Sequence, residues 1–368
     1  MRFPEFDGEW KKSRLNRFAS KITKKNKGNT ISNVLSNSAN YGIIPQADFF
    51  DRSIANSDNT EGYYIIEKND FVYNPRKSAS APYGPINIYN GEVCGIISPL
   101  YLCFKVKGIN RRFLYHYFKS TKWHPYMYAN GDSGARHDRV SIKDETFLEL
   151  PLFHPDEEEQ CKIVELVESI DERIATQIKI IEDLKKLKSA ISKILFEHCD
   201  RVSNIRLLGD ICKITTGKLD ANAMTDDGKY PFFTCAREDY KTDTFAFYGD
   251  SLLISGNGEI GIVKRYNGKF NAYQRTYVLQ NFSENIEYLM YYIEYHLPKR
   301  VLKEKNVGAM PYIVLSTLSE MPIKMPDIKK QFEVNRTLTC LSELIELNSK
   351  LKDSYTSQKS YLLAQMFI

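Results

Sequence analysis

The spacing most suggestive of chemistry lies at 256–261, where Gly256-Asn257-Gly258-Glu259-Ile260-Gly261 spells G-x-G-x-x-G after an apolar run. In a dinucleotide site such glycines let the backbone meet a pyrophosphate at a helix N-terminus, with a carboxylate about 20 residues further on. Here Ile262-Val-Lys-Arg-Tyr266 and Asn267-Gly268 follow, which read as a strand and a hairpin turn. A Gly-rich turn of this kind suits close backbone approach to a phosphate better than it suits a nucleotide fold. A P-loop G-x-x-x-x-G-K-[ST] is absent, and the six histidines (His116, His124, His137, His154, His198, His296) form no H-x-x-x-H. The seven cysteines form no C-x-x-C, so most read as buried thiols and not as a zinc or disulfide framework.

What remains is polar and basic. Arg, Lys, Asn and Gln suit base edges in the major groove, and Arg, Lys, Ser, Thr and Tyr suit phosphates. The first half has a basic turn, Tyr73-Asn74-Pro75-Arg76-Lys77-Ser78, and a Gly-rich basic loop over 131–139. The candidate nucleic-acid contacts there are Asn74, Arg76, Lys77, Ser78, Ser133, Arg136, His137 and Arg139. The matching set in the second half is Arg237, Asn257, Lys264, Arg265, Lys269, Gln274 and Arg275. Residues 1–27 carry nine Lys/Arg against three carboxylates, a net of +6 in a chain whose total is +5. That segment fits either a polyanion-binding arm or a solvated basic arm.

The elements that must position these residues repeat. Leu150-Pro-Leu-Phe-His-Pro-Asp-Glu-Glu-Glu-Gln160 and Met321-Pro-Ile-Lys-Met-Pro-Asp-Ile-Lys-Lys-Gln331 share the frame apolar-Pro-apolar-x-x-Pro-Asp-x-x-x-Gln at an offset of 171. The offset continues without a gap to Phe196 and Phe367. Each copy opens a helix of about 40 residues, roughly 60 Å long. In the first, Asp156 and Glu157–Glu159 complement the helix dipole at its start. The expected apolar seam is Ile163, Val167, Ile170, Ile174, Ile178, Ile181, Leu184, Leu187, Ile191 and Leu195. The second seam is Val334, Leu338, Leu341, Ile345, Leu351, Tyr355, Leu362 and Met366, with Ser349 and Lys352 weakening its middle. A helix this long needs a partner helix, and each copy is the obvious partner for the other.

The segments between are rich in Tyr, Phe, Gly and Asn. Asp250–Ser255, Ile260–Tyr266 and Ala272–Leu279 read as strands, and Asn90-Gly91 as a second hairpin turn. Phe113–Phe118 and Tyr288–Tyr295 have helical spacing and read as core, with Trp123-His-Pro-Tyr126 as a turn capping the first. Leu208-Gly-Asp…Thr-Gly217 restarts the second half much as Leu15–Ile22 starts the first. The fold class expected is α+β, as two mixed α/β globules joined by two long helices in an antiparallel coiled coil with pseudo-two-fold repetition. The domains fall at 1–150, 151–199 (first long helix), 200–320 and 321–368 (second long helix). Apolar residues make up 42% and charged residues 26%, as in a folded globular chain. No apolar run reaches the roughly 18 residues that span a bilayer, and Met1–Trp10 carries charge where a signal peptide needs an apolar stretch. A cytoplasmic protein is expected.

This order of parts resembles the specificity (S) subunit of type I restriction–modification systems, over essentially the full length. The resemblance rests on the Trp10…Leu15 opening, the two Pro-x-x-x-Pro-Asp-x-x-x-Gln segments with their helices, and the Leu208-Gly-Asp…Thr-Gly217 restart. It implies that each globule is a target recognition domain reading one half of a bipartite sequence in double-stranded DNA, while the coiled coil sets the spacing. It further implies docking of two modification (methyltransferase) subunits, which hold S-adenosylmethionine, and separate restriction (translocase and nuclease) subunits. No cofactor is expected in this chain, and no catalysis. In agreement, the nearest approach to an adenine-methyltransferase Asn/Asp-Pro-Pro-aromatic segment, Asn74-Pro75-Arg76-Lys77, lacks the second Pro and the aromatic. The one E-x-K, Glu9-Trp10-Lys11, has no Pro-Asp ahead of it at nuclease spacing. Two other readings share the layout: the specificity chain of another restriction system with fused methyltransferase and nuclease, and a coiled-coil adaptor whose globules bind protein.

Overall fold

A computed structural model describes residues 1–46, 60–133, 138–199, 204–236, 238, 240–258, 262–304 and 312–368. Residues 1–177 with 351–368 form one compact unit, and residues 178–350 form another.

The first unit begins with strand β1 (Lys11–Arg14). Two four-stranded sheets follow. One runs in the order Ala19–Lys21, Leu102–Val106, Phe71–Tyr73, Ile86–Ile88, and the other in the order Gly42–Pro45, Val34–Ser38, Gly95–Ile97, Tyr64–Ile66. Helix α1 (Arg111–Lys119) buries Phe113, Leu114, Tyr117 and Phe118 against the first sheet's Phe71 and Phe104. Asn110 caps its N-terminus, accepting from the Arg112 and Phe113 amides. Trp123 closes its far end as expected, its indole N–H donating to the Phe118 and Ser120 carbonyls at 3.1 Å each, but His124-Pro-Tyr126 is not a turn: it opens a short helix, His124–Asn130. A short ribbon of β2 (Asp132–Ser133) and β3 (Val140–Ser141) precedes β4 (Pro151–His154) and the 43-residue helix α2 (Glu157–Cys199).

The second unit starts at β5 (Ile205–Leu207). Its six-stranded sheet contains the long hairpin of β6 (Phe247–Ser255) and β7 (Val263–Ala272), with β8 (Thr276–Gln280) on the other side of β6. Helix α3 (Ile286–Glu304), strand β9 (Pro322–Lys324) and the 39-residue helix α4 (Ile328–Met366) complete it. Neither expected Asn-Gly hairpin forms. Asn267-Gly268 lies inside β7, where Gly268 pairs with Gly249, and Asn90-Gly91 joins strands of different sheets. The glycines let the hairpin twist: Gly249 has φ 105° and Gly268 φ 149°. The run Ala272–Leu279 is likewise two strands with a turn between them.

The repeated frame has a direct physical meaning. In the first unit β1 pairs antiparallel with β4 (Lys11 opposite His154, Arg14 opposite Pro151), and the Leu15 amide donates to the Leu150 carbonyl at 2.9 Å. In the second, β5 pairs with β9 (Ile205 opposite Lys324, Leu207 opposite Pro322), and the Leu208 amide donates to the Met321 carbonyl at 2.9 Å. The Pro-Asp-x-x-x-Gln segment is a helix start. The Gln160 side-chain Nε2 donates back to the Pro155 carbonyl at 2.8 Å, and that of Gln331 to the Pro326 carbonyl at 2.9 Å. Each long helix then reaches the opposite globule's helix within a unit. Phe367, at the end of α4, lies 5.3 Å from the Phe113 ring and 5.9 Å from Tyr117. Phe196, near the end of α2, lies 6.2 Å from Tyr288 and 5.6 Å from Tyr292. Phe113 and Tyr117 correspond to Tyr288 and Tyr292 in order and spacing.

Within each unit the helix ends pair antiparallel. Ile163, Val167 and Ile170 share a core with Leu362, Met366 and Phe367 in the first. Leu195 and Phe196 share one with Val334, Leu338 and Leu341 in the second. Burial along α2 recurs at Ile163, Val167, Ile170, Ile174, Gln177, Ile181, Leu184, Lys188, Ile191 and Leu195. The steps alternate four and three, the 3.5-residue period of a left-handed coiled coil. The expected seam therefore slips at two places: Ile178 is 44% and Leu187 47% exposed, while Gln177 and Lys188 take their positions. On α4 the seam passes through Asn348, Lys352 and Tyr355, and Leu351 turns outward. Gln177 and Asn348 correspond under the 171-residue offset, so both helices carry a polar residue at the same seam position.

Four of the nine cations in the basic N-terminal segment are paired with carboxylates, and all nine remain exposed. Arg2 is held at 2.7 Å by Glu159, whose side chain is 3% exposed, and the Trp10 indole donates to the same carboxylate at 3.3 Å. Lys11 pairs with Asp156, Arg14 with Glu149 and Lys21 with Asp144. The carboxylates that pair with these four follow in the sequence by more than a hundred residues, which local composition could not reveal.

One buried group makes stability of the first unit pH-dependent. His116 on α1 is fully buried, and neither ring nitrogen has a hydrogen-bond partner among the described residues. The nearest carboxylate oxygen, on Glu168, is 3.8 Å away and already bonded to Arg112. Burial, reinforced by Lys359, Arg112 and Lys119, pushes the imidazole pKa down to about 3. At neutral pH the ring is uncharged in both folded and unfolded chains. Below its ordinary value of 6.5 the unfolded chain takes up a proton that the folded one refuses, so stability falls as pH drops from 6.5 towards 3. His116→Phe should shrink the difference in urea midpoint between pH 7 and pH 5. An unchanged difference would show that other groups govern it.

Candidate nucleic-acid interface

In the first unit the two expected loops meet. The chain leaves the strand Phe71–Tyr73 at Asn74, which is buried. The Asn74 side-chain Nδ2 donates to the Asn37 backbone carbonyl at 3.0 Å, while the side-chain oxygen accepts the Arg76 N–H at 3.0 Å. Such an Asx turn sends the following residues outward. Asn74 is thus committed to positioning and has no edge left to offer a base. Gly84 makes the turn possible: it has φ 85°, and a Cβ there would lie 2.1 Å from the Asn74 carbonyl oxygen.

Residues 75–77 then run antiparallel to 138–140. The Val140 amide donates to the Pro75 carbonyl at 2.9 Å and the Lys77 amide to the Asp138 carbonyl at 2.8 Å. This sets Arg76 opposite Arg139. Both are exposed, and neither has a carboxylate partner among the described residues. Like charges directly opposite on neighbouring strands repel. Tyr101 lies beside them. Burial pushes its phenol pKa up, and a hydrogen bond with Ser36 and the charges of Arg139 and Arg76 pull it back. Ser78 closes a small turn, exchanging backbone hydrogen bonds with Ala81 at 3.0 and 3.1 Å. The β2–β3 ribbon sets Asp132 opposite Ser141 and Ser133 opposite Val140. Arg136 and His137 lie outside the described residues, as does Arg237 in the second unit.

In the second unit the period of two along β7 separates neighbouring cations. Lys264 and Tyr266 point to the face holding Phe233, with the Lys264 ammonium 5.9 Å from that ring's centre. Arg265 points the other way. Asp250 grips it in a fork at 3.0 and 2.7 Å and raises its pKa further. Lys269 sits over the Phe245 ring at 4.8 Å.

Gln274 and Arg275, both exposed, form the tip of the turn between β7 and β8, closed by the Thr276 amide on the Tyr273 carbonyl at 2.8 Å. Surrounding loops pin this tip. The Gln274 amide donates to Leu219, the Tyr273 amide to Phe233 and the Gly256 amide to Arg275, at 2.9, 2.9 and 3.0 Å. Gly217 is packed so closely that a Cβ would lie 2.0 Å from the Ala272 carbonyl oxygen. Asn257, Gln274 and Arg275 therefore converge with Lys264 at one end of the sheet, and Arg265 and Lys269 stand apart. Sequence reasoning missed Tyr101, the Asp250 restraint and the 217–219 loop. An acidic residue 15 positions before an arginine gives no sign that a hairpin pairs them.

Of the G-x-G-x-x-G segment, residues 259–261 lie outside the described residues; Gly256 is fixed to Arg275, and β7 follows from Val263 where a dinucleotide site would need a helix. Among the described residues no His/Cys/Asp/Glu group could hold a metal, and no helix is long and apolar enough to cross a membrane.

The model of one protein family, the type I restriction modification DNA specificity domain, matches residues 7–186 and 203–355. The type I restriction enzyme EcoDI specificity subunit of Escherichia coli is 37% identical over 139 residues, 38% of this chain and 31% of that protein, so the match spans about a third of that relative's length. Two solved structures share the fold. The type I restriction-modification S subunit from M. genitalium aligns over 100% of this chain and 99% of its own, at 16% identity and a TM-score of 0.59. A chain from work on complex assembly and conformational transition of the type I R-M system aligns over 98% and 97%, at 15% identity and a TM-score of 0.58.

Proposed function

Given that the chain belongs to the type I restriction modification DNA specificity family, we propose that it is the sequence-reading subunit of a type I restriction–modification complex. Each unit reads one half of a bipartite site in double-stranded DNA, and the coiled coil sets the gap between halves. The chain catalyses nothing itself. Two methyltransferase subunits dock on the helical region and carry S-adenosylmethionine, and restriction subunits supply translocation and cleavage. The near-repetition of frame and helix gives two similar partners two similar seats.

The observation that carries this reading is the Arg76–Arg139 pair: two exposed arginines whose backbones are paired opposite each other, with no carboxylate partner among the described residues. A phosphate or a guanine edge relieves that repulsion and uses the fork geometry of arginine. The turn at Gln274 and Arg275 gives the second unit a comparable tip.

The test is a methylome. Co-expression with the neighbouring modification subunit in a methylation-free host should add a bipartite adenine-methylation motif with a fixed gap. Exchanging residues 1–150 should change one half of that motif. Methylation by this chain alone would overturn the non-catalytic assignment, and co-purification without methylation would favour an adaptor.

A further inference from the structure

A chain of hydrogen-bonded side chains ends at the Arg76–Arg139 turn. It starts at Lys119, the last residue of α1. The Lys119 ammonium donates to the Asn87 side-chain oxygen at 2.6 Å and to the Ile86 carbonyl at 3.2 Å, and stands 4.8 Å from the centre of the Tyr115 ring. The Asn87 Nδ2 donates to the Asn37 side-chain oxygen at 2.6 Å and to the Ser38 carbonyl at 3.0 Å. The Asn37 Nδ2 donates in turn to the Val72 and Pro85 carbonyls at 2.8 and 3.2 Å. Asn74 closes on the same groups. Its backbone N–H shares the Pro85 carbonyl at 3.0 Å, and its Nδ2 uses the Asn37 carbonyl. Asn37, Asn74 and Asn87 are all buried.

The chain crosses between the two sheets of the first unit, from Asn87 on the strand Ile86–Ile88 to Asn37 on the strand Val34–Ser38. Both Nδ2 hydrogens of Asn37 and of Asn87 find acceptors, and a buried network satisfied in this way is rigid. Lys119 is a costly residue with which to begin it. Burial pushes its pKa down to about 8, with the charge of Lys359 adding to the effect and that of Asp171 opposing it. An apolar side chain would cost less there if packing alone mattered. The turn, for its part, gains from an outside anchor. Two like charges stand opposite each other across it, joined by the Val140–Pro75 and Lys77–Asp138 backbone hydrogen bonds.

We propose that Asn37, Asn87 and Lys119 are positioning residues for DNA recognition, fixing the direction in which the 74–78 turn presents Arg76 and Arg139. The proposal rests on the reading that this turn contacts DNA, and adds that its aim is set from the C-terminal end of α1.

The test uses two variants of the full chain. Asn37→Asp keeps the shape but places an acceptor against the Val72 and Pro85 carbonyls. Lys119→Met removes the first donor and exchanges a partly buried cation for an apolar side chain, so it should stay folded even if Asn37→Asp does not. Each should speed amide exchange at Arg76, Lys77 and Val140 and leave the Leu15 amide of the β1–β4 pairing protected. Each should also weaken binding of the duplex identified from the methylome by at least about fivefold. In a chain carrying both Arg76→Ala and Arg139→Ala, the same changes should alter affinity by less than about twofold, because the groups being aimed are gone. Equal losses in both backgrounds would overturn the proposal and leave the network a support of the fold alone. Unchanged exchange at the turn would overturn it too, as would full affinity in both variants where Arg76→Ala has lost it. Faster exchange with affinity unchanged in these variants and in Arg76→Ala alike would show that the turn is aimed but does not read DNA. That result overturns the reading of the turn itself, and the proposal with it.

Discussion

Arg76→Ala and Arg139→Ala should each weaken binding of the cognate duplex by about 1–3 kcal/mol, roughly 5- to 150-fold. If the residue contacts a phosphate, each should also reduce the slope of log affinity against log salt by about one. Neither should destabilise the fold, because each removes one member of a repelling pair on an exposed ribbon. Arg265→Ala provides the contrast. Its guanidinium is already held by Asp250 on the exposed hairpin, so the loss is that of a surface ion pair, up to about 1 kcal/mol of stability, with little change in DNA affinity. Anisotropy titrations over a salt series, with the duplex identified from the methylome, distinguish the cases. Equal losses from Arg265→Ala and Arg76→Ala would mean that the Asp250 clamp opens on DNA and that pairing in the free chain is no guide to the reading surface.

The second large effect concerns the helix ends. Phe367→Ala and Phe196→Ala should each cost about 3–5 kcal/mol, the usual range for emptying a closed aromatic site. Phe367 is 1% exposed against Phe113 and Tyr117, and Phe196 is 0% exposed against Tyr292 and Tyr295. The effects should also be local. Phe367→Ala should raise amide exchange within residues 1–177, although position 367 is nearly 200 residues from that range. Phe196→Ala should raise it within 178–350. Exchange rising in the same unit for both variants would contradict the division of each helix between two cores.

The sequence made the frame legible because the frame is repeated. Two copies of Pro-Asp-x-x-x-Gln, each followed by a 3.5-residue apolar period, identify two helix starts whatever lies between them. The middle of the seam was less legible, since hydropathy ranks Ile178 above Gln177 and Leu187 above Lys188. Geometry decides otherwise: a strict four-three alternation keeps one stripe on the partner, and long polar side chains can lie along it. Asn267-Gly268 misled because a glycine pair inside a twisted hairpin has the same composition as a turn. The candidate contacts were legible as loops and less so as residues. Asn74 and Arg76 are two apart, yet one is sealed in a backbone network and the other faces solvent. Which of two adjacent polar residues faces out depends on strands far away in the chain.

The β1–β4 and β5–β9 closures have a wider consequence. Each globule is a loop of chain clasped at its neck, residues 15–150 in one case and 208–321 in the other, with a 2.9 Å hydrogen bond from first residue to last. Once a neck is clasped, the entropy of closing the loop grows only logarithmically with its length, about 0.6 kcal/mol for each doubling. The two loops already differ by 22 residues while their necks use the same pairing. Material can therefore be added, removed or replaced between the clasps at little thermodynamic cost, leaving the helices that set the spacing untouched. Such a chain can acquire a new target by exchanging what lies within a clasp while its scaffold stays constant.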